Sequence, residues 1–191
     1  VRLGDFYFDQ NRPGSLQKAA EAYGRMQAFP DHPLYARALY KLGWTHYRMD
    51  DFQRAVEAFT RLLDQYVAES KATGKPPAGD VWPEAIQYIA ISFADERGGG
   101  VERARAYYDG LGGRPYEAEI YQRLGDVLFD QTKYAASVAA YKAFLARSPL
   151  APEAPRVQAR IVLAWQRDRQ LDKEAQELEA LVSSYGETGP W

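Results

Sequence analysis

The chain has 191 residues, enough for one domain with a sizeable core, and its acidic and basic residues nearly balance at a net charge of −2. Charges of both signs are interspersed, which argues against a nucleic-acid binder driven by a basic face, and no apolar run is long enough to span a membrane. There is no cysteine, so disulfides and thiolate metal sites are excluded, and either the cytoplasm or an oxidising compartment is compatible.

No signal peptide or lipidation motif is visible. The chain opens at Val1 rather than Met, and it opens inside a helix that lacks its first turns. A processed protein or a fragment of a larger one is therefore expected.

Taken in order, residues 3–30 hold Leu3, Gly4 and Tyr7 on one helical stripe. A turn at Asn11-Arg12-Pro13-Gly14 follows, and then a second stripe of Leu16, Ala19, Tyr23 and Met26. Pro30 and Pro33 close the unit.

The same order recurs more clearly over 34–66. Leu39, Leu42, His46 and Met49 predict a helix from about Leu34 to Met49. Phe52, Ala55, Phe59, Leu62, Leu63 and Tyr66 predict its return partner. Asp50 and Asp51 suit a tight turn and a helix cap. Gly43, inside the first helix, costs about 1 kcal/mol relative to alanine. That cost is explained if another helix approaches closely there, with Ala55 the expected partner.

Residues 71–80 are polar and rich in Gly and Pro, and read as a loop inserted between units. The stripe resumes with Ile86, Ile89, Ala90 and Phe93. Gly98-Gly99-Gly100 turns the chain into Ala104, Tyr108 and Leu111, and Gly112, Gly113 and Pro115 stop it. A fourth unit carries Tyr121, Leu124, Gly125 and Leu128, then Tyr134, Ser137, Tyr141, Phe144 and Leu145. A fifth, degenerate unit carries Val157, Ile161, Val162 and Trp165, then Leu171, Ala175, Leu178, Leu181, Val182 and Tyr185. Its last helix also bears Lys173, Glu174, Gln176, Glu177 and Glu179, and is expected to turn a polar face outward and cap the stack. Residues 186–191 read as a frayed end.

The spacing of Leu42-Gly43, Phe52, Ala55, Phe59 and Leu62 resembles the tetratricopeptide repeat (TPR), a helix–turn–helix unit of about 34 residues. His46 stands where that family usually has tyrosine, and no proline closes the unit near Val67. The chain is therefore read as all-α, a right-handed superhelical solenoid of about five TPR-like repeats at 1–33, 34–70, 81–115, 117–150 and 153–186 in a single domain.

Nothing in the sequence assembles a catalytic set. His46 lies on a core stripe, His32 sits in a loop, and the two lack metal-ligand spacing. Asp50-Asp51 reads as turn and cap, and Gly98-Gly99-Gly100 lacks the Lys-Ser/Thr of a phosphate loop. The expectation is a non-enzyme without metal or cofactor.

The resemblance implies that first helices line a concave groove where partner segments bind. Carried over, the groove positions are Arg37, Tyr40, Lys41, Trp44, Tyr47 and Arg48 in the second unit, and Arg2, Asp5, Phe8 and Asp9 in the first. The third unit gives Glu84, Gln87, Tyr88, Ile91 and Asp95; the fourth gives Glu119, Gln122, Arg123, Asp126, Phe129 and Asp130. Tyr40, Trp44 and Tyr47 with nearby cations match the residue types of binding hot spots. The alternative is that Trp44 and Tyr47 pack on the next unit's first helix. The carboxylate clamp of chaperone-tail adaptors is not assembled, since Asp5, Trp44 and Asp126 stand where asparagine is wanted.

The phrase from Phe29 to Trp44, echoed in residues 147–160, resembles the lead-in of bacterial envelope TPR proteins of outer-membrane assembly, Tol-Pal and gliding-motility type. That implies a scaffold in the periplasm or envelope, with the cytoplasm as alternative, binding another protein or peptide segment. A substrate-recruiting arm of a multidomain enzyme and a self-associating module, a homo-oligomer, remain alternatives.

Overall fold

In the computed structural model, residues 1–10, 12–76, 79–187 and 189–191 are described. Asn11 of the first turn, Pro77 and Ala78 of the inserted loop, and Thr188 near the end lie outside the described residues. The described residues form ten α-helices and no strand. They are α1 (Arg2–Gln10), α2 (Ser15–Gly24), α3 (Tyr35–Arg48), α4 (Phe52–Thr73), α5 (Trp82–Ala94), α6 (Gly100–Gly110), α7 (Glu117–Asp130), α8 (Tyr134–Arg147), α9 (Ala154–Arg167) and α10 (Leu171–Tyr185). Short 3₁₀ turns follow α2 and precede α6. Two compact units, Val1–Ser92 and Phe93–Trp191, divide the chain within the last turn of α5.

In the first unit α1 packs on α2, α2 on α3, and α3 on α4. In the second, α7 packs on α8, α8 on α9, and α9 on α10, while α6 touches α7 and α8. The interior helices α3 and α4 each bury one stripe: Leu39, Leu42 and His46 on α3, and Ala55, Phe59, Leu62 and Leu63 on α4. His46 is a buried core residue, as its place on the stripe implies.

One turn geometry recurs in the α3–α4, α7–α8 and α9–α10 connections. Asp50, Thr132 and Arg169 sit at φ 57°, 60° and 56°. The amide after each reaches back over the helix end, Asp51 to the His46 carbonyl, Lys133 to Leu128 and Gln170 to Trp165, each at 2.9–3.0 Å. These bonds satisfy carbonyls that the helix ends would otherwise leave open. Asp51 then accepts from the Arg54 amide and caps α4, so the pair of aspartates serves turn and cap as expected.

Three expectations need correction. First, α4 continues to Thr73, where Gly74 ends it in the left-handed region, so the inserted loop begins at Gly74 rather than at residue 71. Ala68, Glu69, Lys71 and Ala72 are good helix formers, and they extend the helix although no apolar stripe marks it. Second, Gly43 makes room for Phe59, not Ala55: a Cβ on Gly43 would stand 2.7 Å from the Phe59 ring. Gly4 and Gly125 face Tyr23 and Tyr141 in the same way, at 2.6 and 2.5 Å from ring Cδ1. Third, the outer face of α10 is mixed rather than polar: Lys173, Gln176 and Glu179 are exposed as expected, but apolar residues are exposed beside them. Leu171, Leu178 and Val182 are 74 %, 50 % and 63 % exposed, while Glu177 turns to α9. There its carboxylate accepts from Gln158 Nε2 at 2.8 Å and pairs with Lys142. Those polar partners decide which side of α10 faces inward.

Candidate functional site

Within the first unit, α1, α3 and α5 bring their predicted face residues together. Phe8 on α1 lies between two cations of α3, with Lys41 Nζ 5.2 Å and the Arg48 guanidinium 4.5 Å from its ring centre. Arg48 also donates to the Phe8 carbonyl at 3.4 Å. One turn earlier, Arg37 donates to Asp5 at 3.3 Å. On the other side of α3, Trp44 and Tyr47 meet edge-on at 5.9 Å, and both contact Tyr88 of α5, at 4.2 and 4.9 Å between ring centres. Phe59 stacks beneath Tyr88 at 6.2 Å. Trp44 and Tyr47 thus pack against the next first helix and stay half-buried, leaving part of each ring at the surface.

Burial pushes the Tyr40 and Tyr88 phenols above their ordinary values, with a hydrogen bond from Tyr40 to Glu84 adding to the first and the charges of Tyr47 and Glu84 to the second. Both rings stay neutral and able to donate at physiological pH. Ile91 is half-buried on α5. The result is an aromatic surface beside a cationic one, set on two adjacent helices by side chains that already hold one another.

In the second unit the predicted residues divide. Asp126, half-buried on α7, accepts from the Tyr141 hydroxyl at 2.7 Å and from Arg160 Nη2 at 3.2 Å. Arg160 also lies 4.6 Å above the Phe129 ring, and Phe129 meets Tyr134 edge-on at 5.3 Å. Arg123 is exposed on α7. A cleft of about 330 Å³ opens here, lined by Gln122, Asp126, Tyr141, Arg156, Val157 and Arg160.

The first unit repeats this tie: Asp5 accepts from Tyr23 at 2.7 Å and from Arg37. In each case a carboxylate on one first helix binds its own second helix and the next first helix. Burial, then the aspartate bond, pushes both phenols up. Sequence reading listed Asp5, Arg37 and Asp126 by position but missed the roles of Tyr23, Tyr141 and Arg160. The signal was present, since Leu-Gly-Asp occurs at 3–5 and at 124–126, each followed by a tyrosine on the next helix.

A second cleft, about 310 Å³, lies between α2 and α4 on a floor of Leu42 and His46. Glu21, Glu57, Arg54 and Arg61 rim it with mixed charge. His46 Nδ1 has no hydrogen-bond partner and stands 3.6 Å from Asp51 Oδ2. Burial lowers its pKa against the opposing pull of Asp51, so the ring is held neutral. His32 does loop work, its Nδ1 accepting from the Leu34 amide at 3.0 Å. Among the described residues no cluster of His, Asp or Glu could hold a metal ion, and no helix is long and apolar enough to cross a membrane.

Repeated helix pairs, each first helix followed by an antiparallel return partner, define a helical-repeat protein. Two family models described as tetratricopeptide repeat match the chain, one over residues 1–66 and one over 123–187, together more than half of it. The chain belongs to the tetratricopeptide repeat family. TPR repeats generally mediate protein–protein interaction, and the fold is typically a non-catalytic interaction module. No curated protein matches the chain. Among solved structures it is similar to MamA, at 18 % identity and a TM-score of 0.42 over 95 % of this chain and 87 % of that one. It is also similar to the kinesin-light-chain TPR-like repeats of Podosopora anserina, at 14 % identity and a TM-score of 0.44 over 94 % and 92 %.

Proposed function

We propose that the α1–α3–α5 face of the first unit docks a segment of another protein, and that the chain serves as a non-enzymatic scaffold in a bacterial envelope assembly. One observation carries the docking surface: Trp44, Tyr47 and Tyr88 form a half-exposed aromatic cluster on the helices that also carry Lys41 and Arg48. Rigid aromatic rings lose little entropy on binding, and cations beside them orient a partner with acidic or carbonyl groups. The envelope setting rests on the lead-in phrase over 29–44.

Site-specific photocross-linking tests the reading. A cross-linker at Lys41 should capture one defined partner segment in cells, and one at Glu57, on the cleft side of α4, should not. Equal capture from both positions, or none from Lys41, would sink the docking face. Fractionation of the tagged protein into the cytoplasm alone would sink the envelope setting.

A further inference from the structure

The half-exposed rings of the first unit are held in place by groups around them. The ring centres of Trp44, Tyr47 and Tyr88 all lie within 5.9 Å of one another. Phe59, fully buried on α4, stacks against Tyr88 at 6.2 Å. The Trp44 indole donates to the Tyr40 hydroxyl, and Tyr40 in turn donates to Glu84. These rings therefore stand in place before anything binds, and little side-chain freedom is left to lose on docking.

The hydrogen-bonding capacity left at the cluster is one-sided. Glu84, the carboxylate that bonds into it, is already engaged by Tyr40. What remains are donors. The Tyr47 and Tyr88 hydroxyls make no hydrogen bond to another described residue, and Lys41 carries its ammonium on the same helix as Trp44 and Tyr47. An ordinary extended segment brings an N–H donor with every carbonyl, and those donors meet no free carboxylate here. A proline-rich segment brings carbonyls without N–H groups. It is also extended before it binds, in the polyproline II form, and aromatic surfaces are what such segments dock on.

We propose that the occupant of this face is a proline-rich segment in polyproline II form, with its prolines seated on Trp44 and Tyr88 and its carbonyls accepting from the Tyr47 and Tyr88 hydroxyls. This rests on the docking face argued above and names the chemistry of what docks there. The separation of 5.9 Å across the cluster is the length of about two residues of such a segment, at about 3.1 Å each. One pair of adjacent prolines covers the three rings.

Nuclear magnetic resonance titration of the isotope-labelled chain with acetyl-decaproline tests this. The four tryptophan indoles are separate reporters, and the Trp44 signal is the one that Trp44→Phe removes. Decaproline should move the Trp44 signal alone of the four, and a glycine-serine peptide of equal length should leave it in place. Tyr88→Ala should raise the peptide concentration at half-shift by about tenfold or more. Tyr47→Phe, which deletes only a hydroxyl, should raise it about threefold to tenfold with unchanged circular dichroism. A Trp44 signal that stays still, or that moves equally with the glycine-serine peptide, overturns the proline-rich occupant and leaves the docking face standing. An unchanged half-shift in both variants overturns it too, as does a segment captured at Lys41 in cells that holds no proline. Absence of any capture from Lys41 removes the docking face and this proposal together.

Discussion

Gly125→Ala is the sharpest test of how the repeats are held. Alanine is the better helix former, by about 1 kcal/mol in a helix interior. At this position, however, the new Cβ would stand 2.5 Å from Cδ1 of Tyr141, where carbon contacts are comfortable only beyond about 3.5 Å. The ring cannot swing away freely, because Tyr141 is fully buried and its hydroxyl is held by Asp126 at 2.7 Å. Overpacking of this kind costs about 3 kcal/mol, the upper end of its usual range. The net expectation is a loss of about 2 kcal/mol, or roughly 4–8 °C in Tm for a chain of this size. In a Tyr141→Leu background the obstacle is gone, and the same substitution should stabilise by about 0.5–1 kcal/mol. In register, the fifth repeat carries Val162 and Leu178 at these two positions. Urea titrations of the four proteins, followed by circular dichroism, give the coupling directly. If Gly125→Ala has the same sign in both backgrounds, the close approach is not what the glycine is for.

Thr132→Gly should raise stability by about 0.5–1 kcal/mol in the same titration, because a β-branched residue at φ 60° is strained by more than glycine loses in entropy. Arg147→Met should cost about 3 kcal/mol by leaving the buried Glu117 carboxylate, 3.0 Å away, without its cation. Glu117→Gln in that background should restore more than half, and a double variant no better than the single would refute the pairing. His46 titrates below 6.5 in the folded chain because burial favours the neutral ring. Stability from that ring is complete above about pH 6.5 and is lost as pH falls from there, where the unfolded chain takes a proton that the fold refuses. The urea midpoint should therefore drop between pH 7.5 and 5.5 by more in the native chain than in His46→Gln.

The helix pairs were legible because each buries one stripe at helical spacing, and the glycines marked the close contacts before any partner was known. The partner itself was misjudged at Gly43: spacing suggested the small Ala55, but a large ring fills a missing side chain better than another small residue does. Thr132 and Arg169 gave no sign of left-handed turns, since nothing in their chemistry asks for one; the helix-end hydrogen bonds impose it. The rotation of α10 was illegible for a similar reason. Leucines and glutamates share its sequence almost evenly, and Gln158 and Lys142, brought near only by folding, settle which side turns inward. Of the candidate site, the positions on α3 and α5 were readable from the repeat, while the Asp–Tyr–Arg ties needed three helices in space to be seen.

α10 has no fully buried residue, yet α9, its partner in the fifth repeat, buries Val157, Ile161 and Trp165. In solution this makes the last helix the hatch of the second unit: a brief lifting of α10 exposes little new apolar surface of its own but wets the flank of its neighbour. Amide protons of α10 should exchange with solvent fastest among the helices of that unit, and those of α9 should follow with matching opening frequency. Anything seated on Leu178 and Val182 would slow both at once.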